Sequence, residues 1–111
     1  MKIYISLPIT DLDEANQRRH ALIVKKIIEE TGHIAVNPFD IYDELCKIHR
    51  HIKKPKPTYE QIMIEDLAAL NECDAIILCK GWTLSKGCAR EYEHANKLHL
   101  KIINEQEYVI N

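Results

Sequence analysis

Five consecutive apolar residues, Ala75 to Cys79, narrow the options of this chain more than any other segment. A run of that kind, with no polar alternation, suits a strand covered on both faces, as in the centre of a parallel sheet. The flanking patterns agree. Lys2 to Ser6 alternates apolar and polar and reads as a strand ended by Pro8, and His33 to Asn37 reads as a second, short strand cut off by Pro38. Asp13 to Thr31 has a helical period: Ala21, Val24 and Ile28, with Ile23 and Ile27, make a wide apolar face, and Gly32 is the stop. Between Asp40 and Pro57 the signal weakens to a short helix around Ile41 to Ile48 and a basic, proline-marked loop.

Thr58 then opens a helix over Tyr59 to Asn71, with Gln61 completing a capping box. Ser85 to Leu98 reads as another helix, Lys101 to Asn104 as a fourth parallel strand, and Tyr108 to Ile110 as a short edge strand. Strands alternating with helices predict a parallel sheet with helices on both faces. The expected fold is therefore α/β: one domain over residues 1–111, a flavodoxin-like or Rossmann-like three-layer sandwich with four to five strands. If the strand order is 2-1-3-4, the switch point lies between the first strand and the Ala75 strand, and ligands bind outside the carboxyl ends there. Ser6 and Pro8 in the first loop, and Trp82 in the loop from Lys80 to Ser85, then border the crevice.

Two acids do not fit their helices. Cys88, Tyr92, Ala95 and Leu98 form one buried stripe, and Glu91 belongs to it. Ile62, Met63, Leu67 and Leu70 form another, and Asp66 falls inside it. An ionised carboxylate costs several kcal/mol to desolvate unless it is paired, hydrogen-bonded or protonated. One such acid is as readily a helix-end ion pair as a functional group; two facing one sheet point to an active-site pair.

Charge and composition exclude other classes. A formal charge of −2 gives no general attraction to nucleic acid, and the basic cluster Lys47, Arg50, Lys53, Lys54 and Lys56 reads as a solvated loop. No run is apolar enough to span a membrane, and the N-terminus lacks a signal-peptide core, which points to the cytosol. Cys73, Cys79 and Cys88 sit at apolar edges of core elements and read as reduced, packed thiols. His49 and His51 have no carboxylate or cysteine at ligand spacing, so neither a metal nor a cofactor is expected.

The segment CDAIILCKGWTLSKGCAREYEHA resembles the nucleoside 2-deoxyribosyltransferase family and the related deoxynucleoside 5′-monophosphate N-glycosidases. The resemblance rests on Ser85, Gly87 and Glu91 after a strand, on Asp66, Leu70 and Cys73-Asp74 before it, and on Tyr4 in the first strand. It implies retaining glycosyl transfer on a small-molecule nucleoside or nucleotide, in a homodimer or higher homo-oligomer. Glu91 would be the nucleophile, Asp66 the acid/base, and Tyr4 the group orienting Glu91, with no metal. Ser85 and Gly87 at the helix N-terminus would bind the substrate, where an anion is favoured, although Ser85 also reads as an ordinary N-cap. Trp82, an aromatic in a switch-point loop with little core to join, reads as stacking on the base, with covering the sheet end as the alternative. One departure stands out: the family's first loop usually has a Gly after the strand, whereas this chain has Leu7-Pro8. The rival readings are a non-catalytic nucleotide-sensing module and a glycohydrolase acting on an NAD-like dinucleotide.

Overall fold

The computed structural model describes residues 1–9 and 13–109. Its strands are β1 (Lys2–Ser6), β2 (Ile34–Val36), β3 (Ala75–Leu78) and β4 (Lys101–Asn104), all parallel in the order β2-β1-β3-β4. Its helices are α1 (Glu14–Glu30), α2 (Pro38–His51), α3 (Tyr59–Leu70), α4 (Lys86–Lys97) and α5 (Glu105–Val109). This is the flavodoxin-like order, with the switch point between β1 and β3.

Strand alternation divides the core in two. Ile3 and Ile5 of β1, Ala75 and Ile77 of β3 and Ile103 of β4 face α1, where Ala21, Val24 and Ile28 pack on them. Tyr4, Ile76 and Leu78 face the other way, against Leu70 of α3 and Ala95 of α4. β3 is buried at every position, which is what its unbroken apolar run requires.

The helix ends follow their caps. Asp13, Thr58 and Ser85 each accept a hydrogen bond from the third residue onward, and Thr58 and Gln61 form the full capping box. Gly32 leaves α1 at φ +84°, a conformation that costs an L-residue a steric penalty.

Four expectations are corrected. α2 is longer than the short helix expected over 41–48, because Pro38 does not merely stop β2 but occupies the first turn, behind Asn37, whose side chain accepts from Phe39 N at 2.9 Å. Lys47 and Arg50 therefore lie on a helix rather than a loop, and His49 is buried, its Nδ1 2.9 Å from the Pro55 carbonyl. Tyr108 and Val109 belong to α5 rather than an edge strand; Ile110 lies outside the described residues. The Glu105–Glu107 run favours a helix, and the Glu105 side chain is anchored by the Lys80 amide at 2.9 Å. Ile23 and Leu98 are exposed, the first at the flank of α1 and the second past the last turn of α4.

Gly32 isolates a backbone effect, since a Cβ there would meet nothing within 4 Å. Gly32→Ala is expected to cost about 1 kcal/mol, read as a lower midpoint in urea with an unchanged slope.

Candidate active site

A cleft of about 210 Å³ opens beyond the carboxyl ends of β1 and β2, with the first turns of α4 on its other side. Asp66, Cys88 and Glu91 line it from α3 and α4, and Leu7 lines it from the end of β1. Phe39 and Tyr42 of α2 form one wall, Tyr59 and Met63 of α3 another, and Glu14 stands at the rim. Tyr59, Ile62, Met63 and Asp66 follow the i, i+3, i+4, i+7 spacing, so α3 presents one continuous face to the cleft.

Glu91 reaches its place through the sheet. Tyr4 and Ser6 are two residues apart on β1 and so share a face. The Tyr4 hydroxyl donates to Glu91 Oε2 at 2.5 Å and the Ser6 hydroxyl to Oε1 at 2.8 Å. Both carboxylate oxygens are thus satisfied on a residue that is 5 % exposed. Asp66, equally secluded, interacts with Glu91 and Tyr4, while its Oδ1 has no hydrogen-bond partner. An orphaned buried oxygen on a residue that lines the cleft is suited to accepting or giving a proton there.

At the other end of the cleft, α4 begins. Ser85 Oγ accepts from Cys88 N at 3.2 Å, and the Ser85 residue lines the cleft as well as capping the helix. A Cβ on Gly87 would sit 3.6 Å from Met63 Sδ and 3.8 Å from the Tyr59 hydroxyl, filling space that glycine leaves to a ligand. Gly81 turns the preceding chain at φ +88°. Lys86 Nζ and the Arg90 guanidinium lie 5.4 and 5.5 Å from the centre of the Tyr59 ring.

The remaining expected residues sit elsewhere. Trp82 does not line the cleft; its ring packs on Tyr92 at 4.8 Å and against the α3/α4 side of the core, closing that edge of the sheet. Pro8 also lies outside the lining, next to Gly81, with its carbonyl accepting from Gln17 Nε2. Tyr4 and Ser6 stand behind Glu91 as its donors rather than in the lining. The residues not foreseen are Phe39, Tyr42, Tyr59 and Leu7. The α3 spacing would have found Tyr59; α2 had no such signal.

Burial dominates the electrostatics. It pushes Glu91 up to about 8, with repulsion from Asp66 adding to it and the Tyr4 and Ser6 hydroxyls opposing it. Burial likewise pushes Asp66 up to about 7. The two titration steps belong to the pair rather than to either acid. The Tyr4 and Ser6 hydroxyls favour the carboxylate form of Glu91, and hydrogen bonds from Glu91 and Tyr4 favour that of Asp66, both against the dominant effect of burial. A folded-state value above the unfolded one means that the native protein binds the extra protons. Stability is therefore full below the usual carboxylate range near 4 and falls as pH rises through about 7 to 8. Asp66→Asn should flatten that fall and melt higher than the native protein at pH 8, by roughly 4–8 °C for each kcal/mol recovered. A lower melting temperature at pH 8 would mark Asp66 as the carboxylate of a stabilising ion pair.

No curated protein matches the chain in sequence. Among solved structures, it resembles the Clostridium botulinum CMP N-glycosidase BcmB, with a TM-score of 0.59 and 20 % identity over 94 % of this chain and 67 % of that one. It also resembles the 2-deoxyribosyltransferase of the psychrotolerant bacterium Bacillus psychrosaccharolyticus, with a TM-score of 0.61 and 17 % identity over 94 % of this chain and 71 % of that one. At that identity the likeness is one of fold. In sequence, residues 1–104 match the model of the family described as domain of unknown function DUF4406, and the chain belongs to that family.

Proposed function

We propose that this chain cleaves or transfers the N-glycosidic bond of a 2′-deoxynucleoside or its 5′-monophosphate through a glycosyl ester on Glu91. The observation that carries the reading is the buried Glu91 carboxylate, fixed by the Tyr4 and Ser6 hydroxyls beside Asp66 on the cleft wall. A structural ion pair would place a cation there, and among the described residues neither acid has one within salt-bridge distance. The two neighbours support the same bond: by name, one is a CMP N-glycosidase and the other a 2-deoxyribosyltransferase.

In the reaction, a Glu91 oxygen attacks the anomeric carbon while the carbon–nitrogen bond breaks and its electron pair leaves with the base. Asp66 gives its proton to the departing base. The Asp66 carboxylate then takes a proton from water, or from an acceptor base, as that group attacks the anomeric carbon and frees Glu91. A sugar entering between the acids would separate them toward the about 5–5.5 Å of retaining pairs. Tyr4 and Ser6 hold the nucleophile oriented throughout. The aromatic walls, Phe39, Tyr42 and Tyr59, suit the flat face of a base.

The reading extends to assembly and compartment. Leu84 is 93 % exposed and Ile64 64 % exposed, apolar surface that suits a second copy of the chain. The four cysteines are free thiols, which fits a reducing cytosol. No helix of the described residues is long and apolar enough to cross a membrane.

Glu91→Gln is expected to abolish release of the free base while leaving circular dichroism and oligomeric state unchanged, because the amide cannot form the ester. Deoxynucleosides, their 5′-monophosphates and NAD, assayed in parallel, distinguish the readings. Release from NAD alone would establish the dinucleotide glycohydrolase, and tight binding without turnover would establish the sensing module. Near-native rates in the variant would remove Glu91 as nucleophile.

A 5′-monophosphate is the preferred substrate in this reading, since Ser85 presents a hydroxyl, not a charge, where the N-terminus of α4 meets the cleft. Ser85→Asp keeps the helix capped but places an anion there. It should lower kcat/KM for the monophosphate about tenfold, a penalty of about 1.4 kcal/mol, with little change for the free nucleoside. Equal losses on both substrates would confine Ser85 to capping.

A further inference from the structure

A second group of chemically versatile side chains lies at the same end of the sheet, on the α1 side. His20 of α1, Cys79 just beyond β3, and Glu105 at the start of α5 bring an imidazole nitrogen, a sulfur and a carboxylate oxygen within 4.8 Å of one another. These residues come from three separate segments, and none belongs to the cleft or to the proposed chemistry. We propose that His20, Cys79 and Glu105 form a binding site for a divalent transition-metal ion of the zinc class, which ties α1 to the carboxyl ends of β3 and β4.

The donor set is the first argument. One nitrogen, one sulfur and one carboxylate oxygen together suit zinc and its neighbours, whereas magnesium and calcium take oxygen alone. Three protein ligands leave a fourth tetrahedral position for water. Geometry is the second. Bonds of about 2.0–2.3 Å to a tetrahedral ion set ligand atoms about 3.4–3.6 Å apart. The three donor atoms, all within 4.8 Å of one another, bracket that range. His20 Nε2 and Glu105 Oε1 are in direct contact and would part to admit the ion.

Anchoring of the ligands is the third. Glu105 Oε2 accepts from the Lys80 amide at 2.9 Å, leaving Oε1 directed at His20. The amide of Cys79 donates to the Ser6 carbonyl at 2.9 Å, which fixes the sulfur at the floor of the site. Backbone donors that orient a ligating carboxylate are the outer support that metal sites commonly use. Access is graded: Cys79 is fully buried, the Glu105 side chain is 13 % exposed and the His20 side chain 30 % exposed, so an ion enters past the imidazole. On binding, the thiol proton leaves to solvent and the thiolate takes its place on the metal.

The experiment is titration of the chelator-treated, full-length protein with Co(II), followed by displacement with Zn(II). One Co(II) per chain is expected, with a thiolate-to-metal charge-transfer absorption that Zn(II) removes and a melting temperature raised by either ion. Cys79→Ser should lose the absorption, whereas Cys46→Ser and Cys73→Ser should keep it. His20→Gln changes a half-exposed helix position, so its fold can be verified by circular dichroism, and it should weaken Co(II) binding at least tenfold. If Cys79→Ser does not fold, His20→Gln decides. No thiolate absorption in the native protein, its survival in a folded Cys79→Ser, or native affinity in His20→Gln would each overturn the site. Base release by the native protein is unaffected by any of these outcomes, so the metal site and the glycosidic reading stand or fall separately.

Discussion

The carboxylate of Glu91 is removed from water at the seam between α4 and the sheet, and the hydroxyls of Tyr4 and Ser6 make that seclusion tolerable. Without donors on both oxygens, desolvation would cost several kcal/mol and the helix would turn its stripe elsewhere. With them, α4 can dock Cys88, Glu91 and Ala95 together onto β1 and β3. The requirement propagates outward. Tyr4 and Ser6 must share a face, so β1 must be regular through Ser6 in register with Leu78. The chain must then leave β3 through Gly81 and the short 3-10 turn at Trp82–Leu84 to start α4 at Ser85.

The element that completes the cleft is held by a different kind of interaction. Arg18 of α1 forks onto both oxygens of Asp43, at 2.9 and 2.8 Å, and lies 4.6 Å over the ring of Phe39. The hydrogen-bonded guanidinium keeps the Asp43 carboxyl below its ordinary range. As a half-exposed pair it contributes little to global stability. Its consequence is positional: a planar fork fixes the roll of α2, and with it the angle at which Phe39 and Tyr42 face the acids. The departure from the resembled family at Leu7 acts on the same volume, because the buried Leu7 side chain fills part of the cleft's inner wall.

What could be read in the sequence follows from which forces are local. β3 declared itself by an unbroken apolar run, α3 by its capping box, and the acids at 66 and 91 by interrupting apolar stripes that a helix would otherwise bury. Periodicity exposes such conflicts without knowing what resolves them. The roles of Trp82 and α2 were not legible for the converse reason. The loop of Trp82 leaves open whether the ring stacks on a base or covers the sheet end, and the partner that decides for the sheet, Tyr92, is a full element away. α2 is organised by Asn37, Pro38 and Arg18 rather than by a strong apolar period, so only its central turns were apparent. The segment at 105–109 turned helical for a tertiary reason as well: Glu105 answers the free amide of Lys80.

The His20, Cys79 and Glu105 cluster takes the same logic one step further. Cys79 is the last residue of the apolar run, and in sequence it is indistinguishable from a packed thiol. Its position on the strand decides its company. Odd-numbered residues of β3 face α1, so Cys79 continues the Ala75–Ile77 row and meets His20, while Leu78 lies on the face that holds Tyr4. One hydrogen bond, from the Cys79 amide to the Ser6 carbonyl, joins the two faces: the residue that supports Glu91 from below also carries the backbone acceptor for Cys79. An ion held at Cys79 would therefore restrain the strand end on which Ser6 stands, without touching the cleft. A parallel sheet gathers its carboxyl ends at one edge, and that is why two unrelated constellations, one of acids and one of mixed ligands, lie back to back across a single layer of backbone.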